Sequence, residues 1–189
     1  DICGIGGMIG NNASGEKSVK YGPTSDNVKK LKVMLSDGEI YEFGPLTARQ
    51  VEQKKHLPTF EGKLYRDVTR LIDDNWNLID RNHPRTIKNA AGYPLWELWD
   101  KQRAHFNMAR LFIGSQGTLG IVTEAELKLV PLPKANRMIV VPIQTLSELT
   151  PVVKELMAHH PVTCETFDHH TYELAEQYHP EDAERANLA

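Results

Sequence analysis

The sequence predicts an α+β fold, with a mixed or antiparallel sheet that has helices packed on one side. Three observations support this prediction: two strands joined by an Asp-Gly turn, a long stretch with apolar residues at helical spacing, and a glycine loop that leads directly into an alternating strand. The 189 residues are enough for one domain, or for one domain and part of another.

The composition is that of an ordinary globular protein. Hydrophobic residues make up 40% of the chain and charged residues 25%, with a formal net charge of -3. This charge gives no reason to expect nucleic acid or an anionic membrane as a partner, and no apolar run is long enough to span a bilayer. Cys3 and Cys164 form no disulfide framework, which favours two reduced thiols in a cytoplasmic protein.

The first half of the chain predicts a loop, a hairpin and a helix. Residues 1–15 are rich in glycine, which predicts a loop because glycine destabilises helices. Val28–Leu35 and Glu39–Phe43 alternate around an Asp-Gly turn, so we expect an antiparallel hairpin with one solvent-facing side. From about Glu61 to Asp80, apolar residues recur at helical spacing, which predicts an amphipathic helix.

The second half begins with another glycine loop, Gly114–Gly120, which leads into a predicted strand over Ile121–Val130. Pro131 and Pro133 end that strand and mark the predicted domain boundary, which gives domains 1–133 and 134–189. Beyond it the pattern predicts a strand, a helix, a short strand and a second helix: Met138–Ile143, a helix from about Ser147, Val162–Phe167, and a helix capped by Asp168.

Neither glycine loop is diagnostic by itself. Glycines in Gly6–Gly15 allow a ligand to approach the backbone closely, with asparagine and serine side chains as additional donors, but a plain surface loop explains the segment equally well. In Gly114–Gly120 no Lys-Ser or Lys-Thr follows the last glycine, so it is not a phosphate loop. A strand rather than a helix follows it, which also excludes a Rossmann fingerprint.

Taken together, the two loops resemble the FAD-binding domain of the vanillyl-alcohol-oxidase superfamily. Lys88–Tyr93 is similar to the Lys-Asn-x-x-Gly-Tyr segment of the branch that contains D-lactate dehydrogenases, glycolate oxidase flavin subunits and D-2-hydroxyglutarate dehydrogenases. The resemblance covers residues 1 to about 133 and continues more loosely to 189. Its ordered motifs are Gly-Gly-x4-Asn-x2-Gly from Gly6, Tyr21-Gly22, Asp26-Asn27-Val28, Asp37-Gly38 and Gly-Ser-Gln-Gly-Thr-Leu-Gly-Ile from Gly114.

The resemblance implies FAD as cofactor and oxidation of a 2-hydroxy acid to the 2-keto acid. Hydride would pass to the flavin, and the electrons would leave to an acceptor that the sequence does not identify. The loop residues would contact the cofactor. Those implied along the flavin and pyrophosphate are Gly6, Gly7, Asn12, Ser14 and Gly15; those implied against the adenosine half are Gly117, Gly120 and Ile121.

The resemblance also implies that family members carry further parts outside this segment. An earlier subdomain grips the pyrophosphate with its own glycine-rich loop, and a later substrate domain carries a His-rich catalytic segment. We therefore expect an incomplete site, assign no catalytic residue to this chain, and expect self-association through surfaces that other domains would cover. For the full-length protein the resemblance leaves open a peripheral contact with a membrane.

Three alternatives remain beside this interpretation. The chain could be a non-catalytic FAD-binding or assembly module, or the same fold could act on another alcohol. A metal site is a weaker alternative, because the spacing of the C-terminal histidines fits no zinc pattern. The tryptophans are more typical of a core than of a cofactor site. The residues concerned are His159, His160, Cys164, His169, His170 and His179, and Trp76, Trp96 and Trp99.

Overall fold

A computed structural model describes residues 3–86, 88–100 and 102–181 of the chain. It separates into two compact units, residues 1–139 and 140–189. The predicted α+β class is confirmed, because the first unit combines small antiparallel sheets with helices. The assignment of 1–133 to an FAD-binding domain and of 134–189 to the domain that follows it stays a prediction.

The first unit alternates short helices and strands around one long helix. Single 3-10 turns at Thr24–Asn27 and Leu95–Glu97 lie between the main elements. The described elements in chain order are α1 Ile5–Gly10, α2 Ser18–Tyr21, β1 Val28–Met34, β2 Ile40–Phe43, β3 Pro45–Thr47, α3 Ala48–Lys55, α4 Phe60–Arg81, β4 His105–Asn107, α5 Ala109–Phe112 and β5 Ile121–Leu127.

The main sheet has three antiparallel strands in the order β2-β1-β5. The alternating patterns predicted these three strands in a mixed or antiparallel sheet, and the structure adds their order. Leu31 of β1 lies opposite Phe43 of β2, and Val28 lies opposite Leu127 of β5. The predicted strand over residues 121–130 ends at Leu127, because β1 begins at its partner Val28. The Lys128 N–H still donates to the Asn27 carbonyl at 2.7 Å, outside the paired strands.

One face of this sheet is solvent-exposed and carries opposite charges on neighbouring strands. Lys30 pairs with Glu42 at 2.9 Å, and Lys32 pairs with Glu124 at 2.8 Å. These side chains are largely exposed, so each pair contributes little to stability and mainly favours this register over a shifted one. The predicted solvent-facing side of the hairpin is therefore confirmed.

The opposite face packs on helices through an aromatic cluster. Phe43 of β2 is fully buried, and its ring centroid lies 4.8 Å from that of Phe112 in α5 and 6.5 Å from that of Tyr65 in α4. The Tyr65 ring in turn lies 6.1 Å from that of Phe106 in β4. Burial raises the pKa of the Tyr65 hydroxyl. The cluster joins both sheets to α4 and α5 in one hydrophobic core.

Helix α4 confirms the predicted amphipathic helix. It begins after Thr59, whose hydroxyl accepts a hydrogen bond from the Gly62 N–H at 3.3 Å. Its buried stripe includes Tyr65, Ile72 and Ile79. Leu71, one of the apolar residues whose spacing predicts this helix, is 48% exposed, so the expectation that it belongs to the apolar face was wrong; the adjacent Ile72 is buried instead.

Two local expectations in the first unit were wrong or incomplete. Ile5–Gly10 forms a short helix where the sequence predicted a loop, because Ile9 is buried in the core and tertiary packing outweighs the low helix propensity of glycine. The small sheet of β3 and β4, together with α3, was not predicted. Strands of three residues are too short for their alternation to be recognised in sequence.

The second unit contains helices α6 Leu146–Ala158 and α7 His169–Tyr178, close to the two helices predicted there. The predicted strands at Met138–Ile143 and Val162–Phe167 are absent from the described residues. An apolar stretch becomes a strand only when another strand pairs with it, and Met138 is 86% exposed instead.

The packing around Gly120, which directly precedes β5, leads to a testable prediction. A β-carbon there would stand 2.7 Å from Val33 Cγ1 and 2.8 Å from the Met34 carbonyl oxygen. We expect Gly120→Ala to lower the free energy of unfolding by about 1–3 kcal/mol through overpacking. Gly15→Ala is the control, since no atom lies within 4 Å of that β-carbon position. Equal urea midpoints for the two variants would contradict the packing.

The N-cap residue Asp168 leads to a prediction about how the stability of helix α7 depends on pH. The Thr171 N–H donates to its carboxylate at 2.9 Å, and this hydrogen bond holds the pKa of Asp168 below its usual 3.8. A lowered folded-state pKa stabilises the helix above pH 3.8, and that stabilisation is lost as the pH falls through the folded value. The Thr171 amide resonance should titrate with a midpoint below 3.8. A midpoint at or above that value, or no titration, would contradict the cap.

Candidate cofactor site

The two glycine loops meet in space, as a shared ligand would require. The Gly114 N–H donates to the Ile9 carbonyl at 2.9 Å, and the Gln116 N–H donates to the Gly10 carbonyl at 2.9 Å. Asn11 and Gln116 are 105 positions apart, yet their side-chain amides lie 3.5 Å from each other. A cofactor shared by the two loops requires this proximity, and the structure has it, while the role of the loops in holding a cofactor stays a prediction.

The two loops meet at a junction formed by residues 9–12 and 114–116, and the backbone geometry there favours glycine and asparagine. Gly114 has φ of 82°, and a β-carbon there would lie 3.3 Å from the β-carbon of Asn12. Asn12 is itself left-handed with φ of 47°, and its side-chain oxygen accepts a hydrogen bond from the Ser25 N–H at 3.0 Å. Asparagine and glycine are the residues that adopt this conformation most readily.

A third segment joins the junction through Tyr93. Its hydroxyl lies 2.8 Å from the Thr118 hydroxyl in the second glycine loop. Tyr93 ends the Lys-Asn-x-x-Gly-Tyr segment, whose resemblance to one family branch was visible in the sequence. The sequence therefore contained a signal for this segment, although it assigned no contact to it.

The fold itself accounts for the glycines of the second loop. Gly117 has φ of 79°, a conformation that is unfavourable for residues other than glycine. Gly120 packs directly against β1, where a side chain does not fit. Ile121, which follows, is 65% exposed. The identities of Gly117 and Gly120 thus need no ligand to explain them.

The first loop differs, because its glycines have no such structural reason. No atom lies within 4 Å of a β-carbon placed on Gly6, Gly7 or Gly15, and none of the three is left-handed. Glycine in a helix costs roughly 0.5–1 kcal/mol relative to alanine, and Gly6 and Gly7 both lie in α1. Exposed glycines that the fold does not require fit a backbone that a ligand approaches closely, as the predicted FAD site needs.

A cavity of about 370 Å³ opens beside the first loop. Of the predicted site residues, Asn12 and Ser14 line it, whereas Gly6, Gly7, Gly15, Gly117, Gly120 and Ile121 do not. Sequence reasoning missed the other side of this cavity, although part of it belongs to the segment used for the resemblance. The residues there are His83, Pro84, Thr86, Lys88, Asn89, Trp96 and Glu97.

Arg110 neutralises the acidic side of the cavity. Its guanidinium lies 3.4 Å from an Asp26 carboxylate oxygen and 3.3 Å from a Glu97 carboxylate oxygen. Arg110 is 24% exposed at its side chain, so these pairs are partly shielded from solvent. The carboxylates of Asp26 and Glu97 are therefore already paired with a cationic side chain of the protein.

The histidine-rich C-terminal part offers no metal centre within the segments that the structure describes. No group of three or more His, Cys, Asp or Glu side chains is placed there to hold a metal ion.

Cys3 and Cys164 are both free thiols. Among the described residues, no helix has the length and apolar character needed to cross a bilayer.

The class of the site follows from a family model and from relatives of the chain. Residues 1–44, which contain the first glycine loop, α1, α2, β1 and β2, match a family model described as an FAD binding domain. This match confirms the predicted resemblance and supports FAD as the cofactor.

Relatives align over nearly the whole chain. A D-2-hydroxyglutarate dehydrogenase of Pseudomonas putida is 33% identical over 97% of this chain, and one of Escherichia coli is 30% identical over 92%. A glycolate oxidase subunit of Bacillus subtilis is 31% identical over 94%.

The chain spans only 19%, 17% and 27% of those three proteins, respectively. It is therefore a homologue of one part of these 2-hydroxy-acid oxidoreductases. Over that part, its resemblance to the branch of the vanillyl-alcohol-oxidase superfamily that contains D-2-hydroxyglutarate dehydrogenases, glycolate oxidase flavin subunits and D-lactate dehydrogenases is confirmed.

Because Gly114 lies in the junction and Gly38 does not, we expect alanine substitutions at these two left-handed glycines to lower stability by different amounts. Gly38→Ala meets no neighbouring atom, so it introduces only the strain of positive φ, about 1–2 kcal/mol. Gly114→Ala adds crowding against Asn12, so we expect a larger loss of stability and faster hydrogen exchange at the Gly114 and Gln116 amides. Equal losses in the two variants, with exchange unchanged at those amides, would show that the loops are not held together as described.

Proposed function

We propose that this chain forms one part of the FAD site of an oxidoreductase that converts a 2-hydroxy acid to the 2-keto acid. The observation that carries the proposal is the set of exposed glycines in the first loop, Gly6, Gly7 and Gly15, whose identity the fold does not require. All three lie in the segment, residues 1–44, that matches an FAD binding domain. Loss of helix stability at Gly6 and Gly7 in α1 is reasonable if the backbone must contact a cofactor.

In this proposal each glycine loop contacts a different half of the cofactor. Backbone groups of Gly6, Gly7 and Gly15 would lie against the flavin and pyrophosphate, with the side chains of Asn12 and Ser14 beside them. The exposed Ile121, with Gly117 and Gly120, would face the adenosine half. The bound flavin supplies the acceptor for the substrate hydride, and these residues position it.

The names of the relatives support the substrate class. They are a D-2-hydroxyglutarate dehydrogenase, a glycolate oxidase subunit and a D-lactate dehydrogenase, and all three substrates are 2-hydroxy acids. We propose the same class for the whole protein that contains this chain. No described residue is proposed as the base that removes the hydroxyl proton. The free thiols support a reducing, cytoplasmic location for that protein.

A pair of measurements tests the proposal. Gly7→Ala should weaken FAD binding because the new methyl group stands where the cofactor approaches. It should leave stability unchanged or raise it, since nothing in the protein crowds the position. FAD affinity is measured by quenching of flavin fluorescence, and stability by urea unfolding. Unchanged FAD affinity in both Gly6→Ala and Gly7→Ala would remove the basis of the proposal.

The 189-residue chain alone should bind FAD weakly and show no turnover. Part of the pyrophosphate would stay unpaired, and each missing charge-assisted hydrogen bond is worth roughly 1.5–3 kcal/mol. Purified chain is titrated with FAD and then assayed with D-lactate, glycolate and D-2-hydroxyglutarate in the presence of a dye acceptor. Stoichiometric FAD retained through purification, or turnover of any of the three acids, would contradict this expectation.

A further inference from the structure

The second glycine loop contains a tight turn with two consecutive left-handed residues. Gln116 has φ of 52° and Gly117 has φ of 79°, and the Thr118 N–H donates to the Ser115 carbonyl at 3.0 Å. This hydrogen bond and two positive φ values are typical of a type I′ β-turn. Glycine adopts such a conformation freely and glutamine does not, so the backbone is strained at Gln116. Contacts with the rest of the protein must therefore hold the turn in place.

Three contacts hold the turn, one at each end and one in the middle. Ser115 is only 5% exposed, which fixes the first end in the protein interior. The Gln116 N–H donates to the Gly10 carbonyl at 2.9 Å. At the other end, the Thr118 hydroxyl lies 2.8 Å from the Tyr93 hydroxyl. Tyr93 therefore holds the end of the turn that leads into β5.

The direction of the hydrogen bond between Tyr93 and Thr118 follows from a second contact. The Thr118 hydroxyl donates to the Ser115 carbonyl at 2.6 Å, and a carbonyl oxygen can only accept. A threonine hydroxyl has one proton, which this bond already uses. Tyr93 must therefore be the donor to Thr118. If the Tyr93 hydroxyl is removed, Thr118 cannot replace the lost bond without giving up its bond to Ser115.

Tyr93 lies on a segment that is itself attached to the hydrophobic core. Leu98, five positions further on, is fully buried, and Leu95 and Trp96 pack against the core. The Leu95 N–H donates to the Tyr93 carbonyl at 2.8 Å. A side chain whose backbone is anchored in this way can fix the position of a loop that it contacts.

We propose that Tyr93 is a positioning residue for the adenosine half of the cofactor. By donating to Thr118, its hydroxyl holds the strained turn in the conformation that presents the residues after it, and Ile121 there is 65% exposed. Backbone strain persists where the surrounding structure enforces it, and strained residues cluster at ligand sites. The inference rests on the proposed function, because that proposal places Gly117, Gly120 and Ile121 against the adenosine half.

AMP and FMN are the probes, because each is one half of FAD and together they separate the two loops. Each is titrated into the 189-residue chain and followed by amide NMR shifts, which measure weak binding. Tyr93→Phe removes the hydroxyl and keeps the ring. It should lower the AMP affinity by about three- to tenfold, the effect of one hydrogen bond, and change the FMN affinity by less than about twofold. Hydrogen exchange at the Gln116 and Thr118 amides should become faster without ligand.

Tyr41→Phe is the matched control. It removes another tyrosine hydroxyl, which donates to Asp37 in the hairpin, and should leave the AMP affinity unchanged. Thr118→Ser keeps the acceptor and should retain the AMP affinity, whereas Thr118→Val removes the acceptor and should lower it. Adding Tyr93→Phe to Thr118→Val should have no further effect, because both changes break the same hydrogen bond.

Three results would overturn the inference. Equal AMP affinities in Tyr93→Phe and Tyr41→Phe would show that the Tyr93 hydroxyl has no part in binding. Equal losses of AMP and FMN affinity in Tyr93→Phe would show that the substitution loosens the whole protein rather than the turn. The third result is the absence of AMP binding to the unsubstituted chain. The role of the first loop is tested separately, since Gly7→Ala should weaken FMN and FAD whatever happens at Tyr93.

Discussion

Two backbone hydrogen bonds, from Gly114 to Ile9 and from Gln116 to Gly10, hold the candidate site together. They join segments that are far apart in sequence, at a point where Gly114 takes a left-handed conformation beside Asn12. A larger residue at Gly114 would push the segments apart. The arrangement of both glycine loops, and of the Tyr93 segment that contacts the second loop, depends on this close approach.

The hydrophobic core keeps that junction in a fixed position relative to the sheet. Phe43, Phe112 and Tyr65 join β2, α5 and α4, and Ile9 of α1 belongs to the same core. Because α5 ends at Phe112, two residues before Gly114, burial of that ring also positions the start of the second loop. A loop anchored to a packed core holds its backbone groups in place with little loss of entropy on binding.

The glycines of this chain serve two different purposes, which the structure separates. Gly117 and Gly120 are explained by backbone conformation and by contact with β1. Gly6, Gly7 and Gly15 are exposed, uncrowded and not left-handed, so close approach of a ligand is the physical reason that fits them. This difference strengthens the proposed role of the first loop. For the second loop, the proposal rests on its proximity to the first and on the resemblance alone.

Alternation and helical periodicity in the sequence determined the three-stranded sheet and helix α4, because each pattern extends over enough residues to bury one continuous face. The ordered glycine motifs determined the family resemblance. Tertiary structure alone decided that Ile5–Gly10 is helical, since burial of Ile9 outweighs local propensity. It also decided that Met138–Ile143 is not a strand, and that Lys88 and Asn89 line one cavity with Asn12, because strand pairing and cavity walls depend on contacts between distant residues.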